Sequence, residues 1–334
     1  MKKFISNTLL ICLSTIIALA IVEILLRAND NKLHEKFLYD KNEPTANKFD
    51  PIIGWELKEG EHIYKPINQE EKNFKTTITK DLYRFSGNTR KEKNDIIFLG
   101  GSNTFGYGVN DKETFSSLIQ KKLKNYNIKN YGTAGYGTYQ SLLKLEKILS
   151  KDNSIKYIVA IYHSSHEIRN IGNEEWLRTL SKHTNRNHLY LPYVSVDKKN
   201  ELKKHKPVKY INLPLREKFI IIQKIEKKIM EAIFYSPRNN PTKATIKIFD
   251  EMNNLAKSNS SKLIVLKIHT IENFKSEYKV FFKKNNIKII ECFLPGDKNF
   301  VANNLIFKND GHPNKRAHAL YAECILKKLI TLIE

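Results

Sequence analysis

A serine stands at the end of an apolar run in residues 95–109, DIIFLGGSNTFGYGV. The run passes through Gly100 and Gly101 into Ser102, so we predict that a strand ends there and that a glycine turn exposes the hydroxyl. A serine hydroxyl becomes a nucleophile when a neighbouring base takes its proton, and the chemistry that this stretch indicates is attack on an acyl carbonyl. The alternative interpretation is that Ser102 is an ordinary turn or helix-capping residue.

A candidate base and its partner lie near the C-terminus in the sequence NDGHPN, residues 309–314. His312 can take the serine proton, and Asp310 is close enough in sequence to orient the imidazole and to stabilise its charged form. Gly311 between them permits a tight bend that brings the two side chains together. The alternative is a simple turn in which Pro313 begins the following helix.

Attack on an ester carbonyl creates an oxyanion, which needs N–H donors that are already in position. The backbone N–H of Ser102 is one candidate, and Gly135 in the stretch NYGTAGYGT is a second, because glycine permits close approach. The third candidate is His166 in the stretch YHSSHEIRN. Each stretch by itself is also typical of an ordinary loop or a surface histidine, so the order of the stretches along the chain is the informative feature.

The elements that must bring these residues together follow from hydrophobic periodicity. Helical stretches with apolar residues at i, i+3, i+4 and i+7 alternate with short apolar runs after residue 95. This alternation predicts an α/β fold with a parallel sheet and helices on both faces, and ligands bind such sheets beyond the carboxyl ends of the strands. The predicted strands are 95–99, 128–131, 156–162, 262–268 and 287–291.

The composition is that of a folded protein with a strongly basic balance. The 334 residues are 41% hydrophobic and carry a net charge of +22, which favours anionic lipid headgroups or acidic glycans as partners. Nucleic acid is not expected, because the sequence has no helix-turn-helix, zinc-finger or RNA-binding aromatic pattern. We expect neither a metal nor a cofactor, because no cysteine, histidine and carboxylate cluster has zinc spacing. The cysteines, Cys12, Cys292 and Cys324, permit at most one disulfide outside the N-terminal apolar run and do not fix the redox compartment.

The N-terminus predicts a membrane helix. Residues 9–26 form an apolar run with Glu23 as its only charge, which nearly reaches the length of a spanning helix. Lys2 and Lys3 precede the run and are expected to stay in the cytoplasm, so the rest of the chain faces the periplasm or the cell exterior. The run continues past Ala20, the end of an Ala-x-Ala pattern, which favours an uncleaved anchor. The alternatives are a cleaved signal peptide and a buried amphipathic helix.

These signals predict three regions along the chain. Residues 1–28 are the membrane anchor or signal, and residues 29–94 are an irregular segment with turn signals and short strands near 76–79. Residues 95–334 form the domain that contains the serine and histidine blocks. A polar and basic stretch at about 170–218 breaks the alternation within this domain and is interpreted as a long insertion or lid.

The order of these blocks resembles the SGNH hydrolase superfamily, the GDSL-like esterases and lipases. FLGGSNTFGYGV resembles its first block and carries the nucleophile onto Ser102. NYGTAG resembles the second block, and this resemblance implies that Gly135 is an oxyanion donor. DGHPN resembles the last block, which implies that Asp310 is the acid and His312 the base. The third block of the superfamily offers an asparagine, and the best register puts His166 there. The resemblance implies a three-layer α/β/α sandwich with a five-stranded parallel sheet.

A membrane-anchored bacterial branch of the superfamily is similar further upstream. Its apolar helix ends in a Glu-x-x-x-Arg pattern like EILLR, and a segment like DPIIGWELKEG follows. The resemblance implies a single-pass protein of the bacterial inner membrane, with a transmembrane helix at its N-terminus and its hydrolase domain in the periplasm or outside the cell.

The resemblance also implies an activity. We expect a serine esterase that removes acyl groups, with O-acetyl as the expected group, from an envelope glycan or glycolipid through an acyl-enzyme. One alternative is an O-acyltransferase that uses the same Ser-His-Asp site. The other is a non-catalytic envelope protein that binds glycan through the same cleft, and the fold does not decide among the three.

Overall fold

The structure is a computed structural model that describes residues 2–29, 33, 46–64, 73–90, 92–182, 190–235, 240–268, 274–294, 304–308 and 311–333. The described residues divide into two compact units. The larger unit comprises those within Asn42–Gly172, Arg186–Val208 and Ser236–Glu334. The smaller unit comprises those within Met1–Lys41, Asn173–Asn185 and Lys209–Tyr235.

Helices and strands alternate through most of the larger unit. In chain order, the helices are α1 (Lys2–Ala28), α2 (Ser102–Phe105), α3 (Phe115–Lys122), α4 (Thr138–Leu149), α5 (Ser165–Asn170), α6 (Glu174–Lys182), α7 (Ile220–Phe234), α8 (Pro241–Ser258), α9 (Ser276–Lys284) and α10 (Lys315–Ile333). The strands are β1 (Asn47–Asp50), β2 (Gly54–Leu57), β3 (Gly60–Tyr64), β4 (Phe74–Ile78), β5 (Asp95–Leu99), β6 (Asn127–Asn130), β7 (Ile155–Tyr162), β8 (Tyr190–Val196), β9 (Leu202–Lys209), β10 (Lys262–Ile268) and β11 (Lys288–Cys292).

Five strands of the larger unit form a parallel sheet in the order β11-β10-β7-β5-β6. In its register, Val265 of β10 lies opposite Ala160 of β7 on one side and Ile289 of β11 on the other. All five predicted strands are present; β5 and β10 have the predicted bounds, and the other three differ by one residue at one or both ends. The predicted α/β class with a five-stranded parallel sheet is therefore confirmed.

Helices cover both faces of this sheet. On one face, Phe115 and Ile119 of α3 and Tyr321 of α10 join alternate strand residues in a continuous core. On the other face, α4 and α8 pack against each other, α4 against β7 and α8 against β10. Because both faces are covered, β5 is buried along its whole length, which explains why its sequence is a continuous apolar run.

A disulfide fastens the edge of the sheet to the last helix. It joins Cys292, at the end of β11, to Cys324 in α10. Cys12, in the apolar N-terminal helix, is free. The pairing thus uses the two cysteines that lie outside the apolar run.

Besides the main sheet, the described residues form three antiparallel strand pairs. The pairs β1–β2 and β3–β4 lie in the segment predicted to be irregular, and β4 covers most of the stretch near 76–79 where short strands were expected. The pair β8–β9 lies within the stretch at about 170–218 that was interpreted as an insertion. Regular structure therefore extends through the described parts of both stretches.

The smaller unit consists of α1, α6 and α7. Helix α7 contacts both α1 and α6. Within the described residues, Lys3–Ala28 is the one helix whose length and apolar composition suffice to cross a membrane, and a signal sequence has the same properties. Its apolar side chains are exposed along almost the whole helix.

Candidate active site

Ser102 and His312 are in hydrogen-bond contact. Oγ of Ser102 lies 2.8 Å from Nε2 of His312, although 210 residues separate them in the chain. Both residues are half-buried, so solvent reaches the pair. A serine hydroxyl in contact with an imidazole nitrogen is the arrangement in which the imidazole can act as general base.

The turn after β5 sets the orientation of Ser102. The strand ends at Leu99, and Ser102 begins α2, a helix of a single turn. The N–H groups of Thr104 and Phe105 donate to the carbonyl oxygen of Gly101, at 3.1 and 2.9 Å. The serine therefore stands at the carboxyl edge of the sheet on a backbone that hydrogen bonds hold in place.

Two other loops reach the same turn. A methyl group placed on Gly101 would lie 3.1 Å from the carbonyl oxygen of Tyr136 and 3.3 Å from Nε2 of His166. The same methyl group would lie 3.6 Å from Nη1 of Arg169. The loop after β6 and the helix after β7 thus both contact the residue before Ser102, as expected for loops at one edge of a parallel sheet.

A short turn ahead of α10 presents His312. The N–H of Phe307 donates to the carbonyl oxygen of His312 at 2.9 Å, and Ile306 forms a β-bridge with Pro313. The ring of Tyr107, in the loop after α2, packs against the imidazole with ring centroids 4.8 Å apart. The turn and the tyrosine ring together hold the imidazole against the serine hydroxyl.

Asp310, the predicted partner of His312, lies outside the described residues, and its role stays a prediction. The same block continues to Asn314, whose side-chain oxygen accepts hydrogen bonds from the N–H groups of Arg316 and Ala317 at the start of α10. The block therefore begins the last helix and also presents the histidine, so the two interpretations of NDGHPN do not exclude each other.

The loop that carries Gly135 is fastened to α2. The side chain of Asn130 accepts a hydrogen bond from the N–H of Gly132 at 3.0 Å and donates to the carbonyl oxygen of Thr104 at 2.8 Å. A methyl group on Gly132 would lie 2.4 Å from the backbone nitrogen of Phe105, so only glycine allows this approach. Gly135 follows in the same loop with a φ of +87°, a conformation that favours glycine.

His166 is a buried, neutral side chain. It is 3% exposed, and burial together with the nearby charges of Arg169 and His163 holds the pKa of the imidazole well below its usual range. A neutral imidazole has one N–H to donate. Its Nδ1 has no hydrogen-bond partner among the described residues, and its Nε2 is the nitrogen next to Gly101.

Glu167, the next residue, has a structural role. Its carboxylate accepts hydrogen bonds from the hydroxyls of Tyr162 and Tyr278, at 2.6 and 3.0 Å, and from Nζ of Lys275 at 2.8 Å. Burial raises the pKa of this carboxyl, but Lys275 and the hydroxyl donors outweigh burial and hold the pKa below its usual value. The carboxylate ties α5 to β7 and α9.

In the described part of the chain, no group of three His, Cys, Asp or Glu side chains could hold a metal ion.

Arg84 supports the loop after the serine, and no sequence pattern predicts this role. The side chain is fully buried, and its Nε donates to Asp111 at 2.9 Å. Its Nη atoms donate to the carbonyl oxygens of Phe105, Gly106 and Val109, at 2.6 to 2.8 Å. The guanidinium thus holds three carbonyl groups of the backbone between α2 and α3 in place. Burial lowers the pKa of Arg84 despite the attraction of Asp111.

The stretch DPIIGWELKEG supports the Gly135 loop. The indole N–H of Trp55 donates to the carbonyl oxygen of Ala134 at 3.1 Å, and the hydroxyl of Tyr136 donates to the carbonyl oxygen of Trp55. The side-chain amide of Gln140 donates to the carbonyl oxygen of Ile53 at 3.0 Å. Three hydrogen bonds therefore fasten this segment to the loop after β6 and to the first turn of α4.

Arg169 is a second residue that sequence reasoning missed. Its Nη1 donates to the carbonyl oxygen of Tyr136 at 3.0 Å, and burial lowers its pKa to about 9. The guanidinium therefore keeps its charge at neutral pH beside the turn that carries Ser102. The spacing to His166 is the signal that could have identified it, because residues i and i+3 share one face of a helix.

Comparison with known proteins finds similarity to solved structures. No family model and no curated protein matches the chain. The chain is similar to the solved structure of a lipolytic G-D-S-L family protein from Veillonella parvula, with 15% identity over 70% of this chain and 96% of that chain and a TM-score of 0.40. It is similar to the esterase EstA from Pseudoalteromonas sp., with 11% identity, coverage of 72% and 99% and a TM-score of 0.41. It is also similar to AlinE4, an SGNH-hydrolase family esterase, with 12% identity, coverage of 74% and 100% and a TM-score of 0.34.

Proposed function

We propose that the chain is a carboxylic ester hydrolase of the SGNH type, with Ser102 as nucleophile and His312 as base. The observation that carries this proposal is the 2.8 Å contact between Oγ of Ser102 and Nε2 of His312 at the carboxyl edge of a parallel sheet. Asp310 is proposed to orient the imidazole, because its place in the NDGHPN block suits that role.

The proposed reaction has two halves. In the first, Oγ of Ser102 attacks the ester carbonyl carbon while its proton passes to Nε2 of His312; the bond to the alcohol then breaks, and the alcohol oxygen takes that proton. In the second half, His312 takes a proton from water while the water oxygen attacks the acyl carbon; the bond from that carbon to Oγ then breaks, and His312 returns the proton to Oγ, which releases the carboxylic acid and restores the serine and the neutral imidazole.

The negative oxygen that forms in each half needs N–H donors. The proposed donors are the backbone N–H groups of Ser102 and Gly135 and the neutral imidazole of His166. The closeness of Nε2 of His166 to Gly101 supports the third assignment. Loss of one such donor typically lowers turnover by a factor of about 10²–10³.

The proposed substrate is an acyl ester, expected to be O-acetyl, of an envelope glycan or glycolipid. The net charge of +22 favours an acidic surface or substrate, and the half-buried cation of Arg169 supplies positive charge beside the turn that carries the serine. Both features suit a glycan or lipid that carries carboxylate or phosphate groups.

The proposed location is the outer side of the bacterial inner membrane, with α1 as an uncleaved anchor. The length and apolar surface of α1 support a spanning helix. The disulfide between Cys292 and Cys324 supports an oxidising compartment for the rest of the chain, because structural disulfides are rare in the cytosol.

Covalent labelling tests the proposed activity. The purified full chain is treated with a fluorophosphonate probe and then assayed for release of nitrophenol from p-nitrophenyl acetate. We expect labelling and turnover in the wild type and in the matched control Ser165→Ala, and neither in Ser102→Ala, with nearly unchanged melting. Labelling that persists in Ser102→Ala would show that another residue is the nucleophile. Transfer of acetyl to an added sugar faster than to water would favour the acyltransferase alternative.

A further inference from the structure

Helix α7 buries two polar side chains, Gln223 and Glu226, and exposes two isoleucines, Ile225 and Ile229. Gln223 and Glu226 are 5% and 1% exposed. Ile225 and Ile229 are 43% and 36% exposed. The rest of the buried stripe is apolar, comprising Ile220, Met230 and Phe234, so the two exposed isoleucines form a second apolar patch outside the stripe that a surface helix turns toward the core.

The buried polar side chains fix this orientation. Glu226 accepts hydrogen bonds from the N–H of Leu213 at 2.9 Å and from Nε of Arg216 at 3.1 Å. It also accepts one from the hydroxyl of Tyr210. Gln223 donates to the carbonyl oxygen of Arg216 at 2.7 Å. Rotation of α7 to bury the isoleucines would break this network and leave a buried charge without its partners, which is costly.

The first turn of α7 is joined to the end of α1. The carboxylate of Glu23 accepts hydrogen bonds from the N–H groups of Ile220 and Ile221, at 3.1 and 3.0 Å. Arg27 donates to Glu23 through Nε and to the carbonyl oxygen of Lys218 through Nη2, both at 2.8 Å. The Glu-x-x-x-Arg pattern at the end of the apolar helix is thus the joint between α1 and α7.

This joint sets the depth of α7 if α1 spans the membrane. Glu23 and Arg27 lie in the last two turns of α1, where a spanning helix leaves the hydrocarbon region. Helix α7 then begins at the bilayer boundary. Lys224 and Lys228 are exposed on α7 next to the isoleucine stripe, in the positions from which lysines reach lipid headgroups.

We propose that α7 is a second membrane-contacting element, which lies in the interface with Ile225 and Ile229 in the acyl-chain boundary and its lysines on anionic headgroups. The occupant of the exposed face is the lipid bilayer, because α7 is joined directly to the end of the apolar helix α1 and the face is flanked by the cations of Lys224 and Lys228. The inference rests on the proposed anchoring by α1.

Depth-dependent fluorescence in vesicles tests the inference. Single cysteines are introduced into the full chain as Ile225→Cys and Ile229→Cys, each in a Cys12→Ser background, and are labelled with an environment-sensitive fluorophore. The chain is reconstituted in phosphatidylcholine vesicles with a minor share of phosphatidylglycerol. We expect blue-shifted emission and strong quenching by brominated acyl chains at both positions, with weaker quenching when phosphatidylglycerol is left out.

Two labels separate the possible outcomes. Lys227→Cys is the matched control, because residue 227 is exposed and lies on the opposite side of the helix from residue 225. We expect little quenching there. Wild-type Cys12 reports on the anchor itself: quenching at Cys12 without quenching at 225 and 229 would overturn the inference and leave the anchor intact, whereas no quenching at Cys12 would overturn both.

A further outcome of the fluorescence experiment and a separate photolabelling experiment also test the inference. Blue-shifted emission at 225 and 229 without quenching by brominated lipid would overturn it in favour of a protein partner, such as a second copy. Photolabelling of the unsubstituted chain with a hydrophobic carbene reagent needs no variant. Label in the peptide that spans 220–235 supports the inference, and its absence alongside labelled α1 overturns it.

Discussion

Trp55 donates its indole N–H to the carbonyl oxygen of Ala134, the residue before the proposed oxyanion donor Gly135. The hydroxyl of Tyr136 returns a hydrogen bond to the carbonyl oxygen of Trp55, so two bonds clamp the loop on either side of Gly135. Trp55 lies in the segment 29–94, outside the region that the sequence blocks define. The proposed oxyanion site therefore depends on residues that precede the serine and histidine blocks in the chain and belong to the same compact unit.

Trp55→Phe tests this dependence. Phenylalanine keeps most of the packing but cannot donate to Ala134, so we expect kcat to fall about tenfold, the effect of one lost hydrogen bond, while KM changes little. The measurement is steady-state hydrolysis of p-nitrophenyl acetate. Phe49→Leu is the control, since Phe49 lies in the same segment and is 48% exposed. An equal loss in both variants, or none in Trp55→Phe, would count against a positioning role.

Arg84→Lys tests the support of the serine loop. Lysine keeps the charge but has no planar fork, so some of the carbonyl groups of residues 105, 106 and 109 lose their donor in a buried site. We expect a loss of stability of about 2 kcal/mol or more and slower fluorophosphonate labelling of Ser102.

The controls for this variant are its melting curve and Lys112→Gln, an exposed neighbour of Asp111. Lys112→Gln is expected to melt and label like the wild type. If Arg84→Lys also melts at the wild-type temperature, the guanidinium does not hold the loop as we infer.

The sheet could be predicted from the sequence, because strands buried on both faces are continuous apolar runs that few other elements produce. The contact between Ser102 and His312 could be anticipated as well, since each lies in a recognisable turn at the same sheet edge. Arg84 could not be predicted. Apart from Asp111, the partners described above are backbone carbonyl groups more than 20 residues away, and every residue type has a backbone carbonyl group.

The third block shows where sequence reasoning reached its limit. The best register puts His166 where the superfamily has an asparagine, with Glu167 directly after it, but consecutive helical residues point about 100° apart. Only one of the two can face the serine turn. The structure has His166 next to Gly101 and Glu167 among Tyr162, Tyr278 and Lys275.

The pH dependence of stability follows from two buried histidines. Burial and nearby cations hold the pKa of His166 well below its usual range, and the same causes lower the pKa of His318 to about 3, with Nδ1 of His318 accepting the N–H of Phe115. Both side chains take up protons near pH 6.5 only when the chain unfolds. The unfolded state therefore binds more protons below that pH, and stability falls as the pH decreases.

We expect this fall between pH 6.5 and about pH 4.5, above the range where carboxylates protonate. Its slope approaches about 1.4 kcal/mol per pH unit for each histidine. Denaturant midpoints of the detergent-solubilised chain at several pH values measure it. In His166→Asn, unfolding is expected to take up one proton fewer, so the stability should fall less steeply with pH. A denaturant midpoint that stays constant from pH 7 to pH 5 would contradict the assignment of neutral buried histidines.

The last prediction is that His166 donates to the oxyanion. Its imidazole is neutral and buried, and its Nε2 lies beside Gly101, so the tautomer with its proton on Nε2 offers one N–H to the turn that carries Ser102. We expect His166→Ala to lower kcat by a factor of about 10²–10³ with little change in KM, because the hydrogen bond strengthens only as the oxyanion forms. His166→Asn should recover part of the loss, since an amide N–H can also donate. Ser164→Ala and Ser165→Ala serve as matched controls for a shifted register, and a His166→Ala enzyme within a fewfold of the wild-type rate would leave the backbone N–H groups of Ser102 and Gly135 as the only donors.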